Sequence, residues 1–253
     1  IKQKEDLSYK LTNRANKVAI ISDGTRVLGL GNCGAASALA VMGGKAFLMN
    51  QLGAIDAEPL CVDSRDEQGE HQAQKIIDFA RMVSPSYSAI NLEDISQPNC
   101  YKVLDALKEN CPIPVWHDDA QGTACITCAA LINALKITGK KIDKVKIVLF
   151  GAGAANTSTA SFLFALGADP KKMILLDSKG PLHKNRIDLK NNPSYYKQWS
   201  FCQKTNAKLI TTKEEAFKDA DVLIAFSKPG PNVIEPELIR LMAKRAIVFT
   251  CAN

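Results

Sequence analysis

The sequence lacks three features that would each have pointed to a broad class. It has no apolar run of the length a bilayer requires, so no membrane-spanning helix and no membrane partner are expected. It has no basic run interleaved with aromatics, and its net charge of +6 is spread along the chain, so nucleic-acid binding is not expected either. It has no second cysteine pair to join Cys125 and Cys128, so a zinc site of the C-x-x-C type is incomplete. That pair sits in TACITCAALINAL, which reads as two small residues in an apolar helix. The eight cysteines are scattered, as expected of reduced thiols in a reducing compartment. No internal repeat, low-complexity stretch, signal peptide or transit peptide is evident. The chain opens on Ile1 and stops at Asn253 just after an apolar run, so it is expected to be part of a longer one.

What is present reads as an α/β protein. With 253 residues, 46% of them hydrophobic, the chain can bury two modest cores. Short β-like runs alternate with helical patterns, which predicts largely parallel sheets. Strands are predicted at 17–23, 45–50, 57–63, 88–92 and 113–116, with helices at 98–109 and around Ala73, Ile76, Ile77 and Ala80. The stretch from Gly122 to Thr138 is apolar nearly all round and predicts a buried helix stopped by Gly139. Beyond it, strands are predicted at 145–150, 173–177, 221–226 and 246–250, with helices at 154–166, 213–219 and 236–243. Thr212 and Glu215 form a capping box for the second of these helices. A boundary near residue 120 divides a substrate and metal domain, 1–120, from a Rossmann-type domain, 121–253.

Two glycine motifs compete for a dinucleotide. Gly29-Leu30-Gly31-Asn32-Cys33-Gly34 has the full G-x-G-x-x-G spacing, but no acid follows at the right place; it reads as a glycine-rich turn near the substrate. Gly151-Ala152-Gly153-Ala154-Ala155-Asn156 follows a buried-strand run and opens a helix. Asp177 ends the next strand, near the ~20-residue distance at which an acid takes a ribose hydroxyl. Context therefore selects the second motif, whose helix N-terminus suits a pyrophosphate. Asn156 replaces the third glycine and predicts slightly looser helix–strand packing or a shifted crossing.

Two acidic pairs end neighbouring strands: Glu93-Asp94 and Asp118-Asp119. At the carboxyl edge of a parallel sheet they would converge and repel one another unless a cation neutralised them. Hard carboxylate ligands point to Mg²⁺ or Mn²⁺. Lys45, expected at the start of the strand Lys45–Asn50, reads either as a rim lysine reaching for solvent or, beside a metal, as a general base of lowered pKa.

The series SDGTRVLGLGN, GGKAFL, DAEPLCVD, INLEDIS, PVWHDDAQGTA, GAGAAN, DSKG and VFTCAN closely resembles the malic enzyme family over essentially the whole chain. The resemblance implies oxidative decarboxylation of L-malate to pyruvate and carbon dioxide, with reduction of NAD or NADP. It implies Glu93, Asp94 and Asp119 as metal ligands, Lys45 as the base and Asp118 as the acid that tunes it. Arg26 and Asn253 would contact malate. Gly151, Ala152, Gly153, Ala154, Ala155, Asp177, Ser178 and Lys179 would line the cofactor groove. Ser178 and Lys179, with Lys184 and Arg186 close by in sequence, tip the expected cofactor towards NADP. The tyrosine that protonates enolpyruvate in the family corresponds to a position upstream of residue 1, and Tyr9 does not match it. A homodimer or tetramer in the cytoplasm or an organellar matrix is implied.

Three other readings share features with this one. A malolactic enzyme uses the same metal and NAD, and its product, lactate, separates it. A dicarboxylate or nucleotide sensor on a decayed scaffold would not need to retain Lys45 and four converging acids. A related amino-acid dehydrogenase would not need the divalent metal.

Overall fold

The structure, a computed structural model, describes residues 1–228 and 230–251. Asn253, expected to contact substrate, lies outside the described residues. The chain divides into two compact units, Ile1–Asp119 and Ala120–Asn253.

The first unit runs α1 (Ser8–Leu11), β1 (Lys17–Ser22), α2 (Gly34–Gly53), β2 (Asp56–Cys61), α3 (Ala73–Val83), β3 (Ala89–Leu92), α4 (Asn99–Asn110) and β4 (Val115–His117). Its strands form a parallel sheet ordered β2-β1-β3-β4. Ile20, Ile21, Ile90 and Leu92 are buried in its two central strands, each contributing ~1.5–3 kcal/mol of hydrophobic stabilisation. Because β2 lies on one side of β1 and β3 on the other, the winding reverses between β1 and β3. Such a switch point opens a crevice at the carboxyl ends of the strands.

The predicted strand Lys45–Asn50 is not a strand. Those residues lie inside α2, a 20-residue helix that runs through Gly43 and Gly44. A six-residue apolar run cannot be told from a helix segment by periodicity alone. Two internal glycines, each ~1 kcal/mol unfavourable in a helix, favoured the wrong choice. Packing on the sheet overrides them: Ala38 and Met42 are completely buried, and Lys45 follows at i+7 from Ala38 on the same helix face.

The second unit runs α5 (Thr123–Thr138), β5 (Ile147–Phe150), α6 (Ala154–Ala165), β6 (Met173–Asp177), β7 (Gly180–Pro181), α7 (Ile187–Lys190), α8 (Tyr196–Lys204), α9 (Lys213–Phe217), β8 (Val222–Ala225), α10 (Pro236–Arg240) and β9 (Ile247–Thr250). The sheet order is β7-β6-β5-β8-β9, parallel except for the short antiparallel β7. Ile147, Leu149 and Leu175 pack with Leu131, Leu163 and Phe201 on one face. Val148, Ile174 and Leu176 pack with Phe217 and Leu238 on the other. The Thr212 hydroxyl caps α9 by accepting from the Glu215 amide at 3.3 Å.

α5 is not buried all round. Ala124, Thr127, Cys128, Leu131 and Leu135 form its inner stripe, whereas Ile126 and Ile137 are exposed. Contrary to the sequence reading, the helical stretch Asp118–Thr138 is long and apolar enough to cross a membrane by composition. Cys128, Leu131 and Leu135 of that stripe belong to the core of the second unit. None of the eight cysteines is paired in a disulfide.

Gly151 sits between β5 and α6 with φ +105°, and a Cβ there would collide with the Phe226 carbonyl after β8. Replacing it with alanine should destabilise the protein by about 1–3 kcal/mol from backbone strain alone. Urea unfolding of the Gly151→Ala variant measures this; an unchanged midpoint would mean that the close approach is not enforced.

Candidate active site

The parallel pairing of β3 with β4, next to the β1/β3 switch point, brings the sequence-predicted acids together. The Glu93 amide continues the ladder by donating to the Ile21 carbonyl at 2.9 Å, which fixes Glu93 beside the end of β1. Asp94 follows with φ +55°, a left-handed conformation that aspartate tolerates better than most residues. After β4 the chain enters a π-helical turn, Asp118–Gly122. Such wide turns recur at functional sites, and this one sends its two acids to different partners. Asp118 Oδ2 accepts from Lys45 Nζ at 2.6 Å, and Asp119 Oδ2 accepts from the Asp94 amide at 2.9 Å.

Glu93, Asp94 and Asp119 each offer a carboxylate oxygen, all within 4.8 Å of one another. Glu93 and Asp94 are buried and Asp119 is half-buried. Desolvation, then repulsion from Asp119, lifts the Glu93 carboxyl to about 7; Lys45 and a hydrogen bond from Asn91 oppose the rise. The same two causes lift Asp94 to about 6, opposed by Lys45 and Arg26. Oxygen donors that resist ionisation where they stand are donors whose charge a hard divalent cation would relieve, so the residues present fit Mg²⁺ or Mn²⁺.

Lys45 lies on α2 between Asp118 and Glu93, its Nζ 3.1 Å from Glu93 Oε1. Burial lowers its pKa, but the Asp118 hydrogen bond and the charges of Glu93 and Asp118 outweigh that, and the net shift is upward. Arg26 is exposed on the loop after β1, and its amide donates to the Asp94 carbonyl at 3.0 Å. The glycine-rich turn 29–34 belongs to the same loop and leads into α2, with no strand running directly into it. His117, fully buried, has Nδ1 4.0 Å from Asp119 Oδ2.

In the second unit, Gly151, Ala152 and Gly153 form the turn into α6, and Ala154 and Ala155 open that helix. Asn156, at the third position of the motif, makes bonds of its own. Its side chain is fully buried, and Nδ2 donates to the Phe150 and Gly151 carbonyls at 3.1 and 2.8 Å, tying the helix to the strand end. Gln198, missed in the sequence because it lies some forty residues downstream on α8, donates to the Ala152 carbonyl at 3.0 Å. Asp177 ends β6. Arg186 grips it at 2.7 and 3.1 Å and also holds Asp188, while Lys179 reaches Asp188 at 3.2 Å. Ser178 follows Asp177 and is exposed.

Comparison with known proteins bears on both units. Residues 1–108 match the model of the malic enzyme N-terminal domain, and residues 120–253 that of the malic enzyme NAD binding domain. The chain belongs to the malic enzyme family. It is similar to the crystal structure of Entamoeba histolytica malic enzyme, with a TM-score of 0.95 and 47% identity over 100% of this chain and 52% of that one. It is 40% identical to an NAD-dependent malic enzyme of Geobacillus stearothermophilus over 97% of this chain and 48% of the relative. It is 39% identical to an NADP-dependent malic enzyme of Halomonas elongata over 97% of this chain and 54% of the relative. The chain thus spans about half the length of the curated relatives it matches.

The acid cluster has a consequence for stability. A carboxyl whose pKa is higher in the folded than in the unfolded state makes the folded state bind more protons. Stability contributed by Glu93 and Asp94 is therefore full at low pH and lost as pH rises between about 4 and 7. Lys45, raised, contributes stability that persists until pH passes its folded value. The melting temperature of metal-free protein should fall from about pH 5 to 7.5, and Mn²⁺ should abolish the fall. A metal-independent profile would show that these carboxylates do not meet a cation.

Proposed function

We propose that the protein is a divalent-metal-dependent malic enzyme, which oxidises L-malate with NAD(P) and releases carbon dioxide to leave pyruvate. The observation that carries this reading is the convergence of Lys45 with Asp118, Glu93, Asp94 and Asp119 at one strand-end crevice. When bound, the dinucleotide supplies a hydride acceptor, and the divalent cation a Lewis acid for the malate C2 oxygen and for the enolate left by loss of carbon dioxide. Glu93, Asp94 and Asp119 would hold the cation. Lys45 would take the proton of the C2 hydroxyl, with Asp118 orienting its Nζ. Commitment of Glu93 to a cation would remove one of the charges that raise Lys45, while burial, which lowers it, and the Asp118 hydrogen bond, which raises it, both remain. Arg26, beside Asp94, would receive a malate carboxylate.

We further infer that the cofactor is NADP. An Asp177 carboxylate already gripped by Arg186 is a poorer acceptor for a ribose hydroxyl, which supports this reading, and Arg186, Lys179 and Ser178 would receive a 2′-phosphate. Arg186→Ala should raise KM for NADP⁺ about ten- to hundredfold and that for NAD⁺ far less, which parallel titrations would resolve. Equal effects on both cofactors would count against NADP.

The test of the activity is the rate of NADPH and NADH formation from L-malate with and without Mn²⁺, with pyruvate and lactate quantified. Metal-dependent pyruvate in step with the reduced cofactor is the expected result. Lactate in its place would transfer the reading to a malolactic enzyme. Lys45→Ala should lower kcat by about 10²–10⁴-fold while the protein stays folded. Near-normal malate oxidation in that variant would remove Lys45 from the role of base.

A further inference from the structure

The loop between β1 and α2 is anchored by a buried polar group that takes no part in the reaction as proposed. Asp23, directly after β1, is almost completely buried, and both of its oxygens are engaged. Oδ1 accepts from the Thr25 hydroxyl at 2.6 Å and the Thr25 amide at 3.2 Å; Oδ2 accepts from the Ser64 hydroxyl at 2.9 Å. Ser64 has one hydroxyl proton, and it goes to Asp23. The contact of Ser64 Oγ with His71 Nδ1 at 2.8 Å is then a bond that the imidazole donates. Asp23 thus has a fixed orientation, held from the segments on either side of residues 65–70.

The same reasoning applies one step further out. The Thr25 proton is committed to Asp23, so its oxygen is free to accept, and it accepts from the Ser96 amide at 2.8 Å. The next residue, Arg26, donates its amide to the Asp94 carbonyl. Two consecutive residues of one loop therefore clamp both sides of the Glu93–Ser96 corner. Asp94 stands inside that corner in its left-handed conformation, which persists only where the surroundings over-determine it.

We infer that Thr25, oriented by Asp23 and Ser64, is a positioning residue that holds the Asp94 corner in the geometry needed to receive a divalent cation. This rests on the metal reading of Glu93, Asp94 and Asp119. Thr25 touches neither substrate nor cation; it acts through the backbone of Ser96 and Asp94. Valine at this position keeps the shape of the side chain but removes both the donor to Asp23 and the acceptor for Ser96, whereas serine keeps both.

The experiment is a titration of the protein with Mn²⁺ alone, read by the electron paramagnetic resonance of free Mn²⁺, for wild type, Thr25→Val and Thr25→Ser. Thr25→Val should bind Mn²⁺ about 10–100-fold more weakly, the range in which loss of an outer partner falls, and Thr25→Ser should lie close to wild type. Amide exchange of the 93–96 segment in metal-free protein should accelerate in Thr25→Val and not in Thr25→Ser. Wild-type affinity in Thr25→Val, or equal loss in both variants, overturns the inference. Wild-type protein that binds no Mn²⁺ overturns the metal reading itself and this inference with it. If Thr25→Val does not fold, Ser64→Ala, which frees only the far oxygen of Asp23, should show a smaller weakening in the same direction; unchanged affinity there overturns the inference too.

Discussion

Glu93, Asp94 and Asp119 place like charges within 4.8 Å of one another at a sheet edge where water has limited access to two of them. The repulsion grows as the surroundings become less polar, so the arrangement stands only with compensation on every side. Lys45 supplies an ammonium to Glu93 and Asp118, Asn91 donates to Glu93, and the Asp94 amide donates to Asp119. Burial and the charge of Asp119 raise the carboxyls of Glu93 and Asp94, so these two groups take up protons more readily than free carboxylates do. The long helix α2, the π-helical turn after β4 and the left-handed Asp94 all serve to hold these groups where they would not otherwise stay.

The second unit meets a different constraint, one of backbone proximity. A dinucleotide pyrophosphate is bound by main-chain amides, so the turn after the first strand must lie open and close to the next strand's end. Gly151 passes against the Phe226 carbonyl with no room for a side chain. Asn156 and Gln198 bind the carbonyls of that turn and leave its conformation little freedom. An asparagine at the third motif position therefore adds hydrogen bonds of its own to the turn.

Much of this was legible in the chain. The alternation of apolar runs and amphipathic stretches placed eight of the nine strands among the described residues, because each carries its own short apolar stretch in the sequence. The ninth, β7, is two residues long and exists only by pairing with β6. The acids after β3 and β4 were readable as strand-end pairs, and the second glycine motif was separable from the first by what precedes and follows it. α2 was misread around Lys45 because its apolar run and paired glycines carry no helical signature of their own; contacts with the sheet decide it. The upward shift of Lys45 was equally invisible, since it depends on Asp118, seventy-three residues away.

The sequence by itself determined the α/β class, the strand-end acids and the dinucleotide turn, because these depend on periodicity and on neighbours a few residues apart. It also placed the chain in its family through ordered motifs. Only the tertiary structure decided that Lys45 faces two carboxylates from a helix, that Arg186 occupies Asp177, and that Asp23 reaches the Glu93–Ser96 corner through Thr25. Lys45–Asp118 and Thr25–Ser96 join segments more than seventy residues apart, and Arg186–Asp177 depends on how the chain after β6 folds back over nine residues. Distance along the sequence carries no information about such contacts until the sheet order brings the strand ends together.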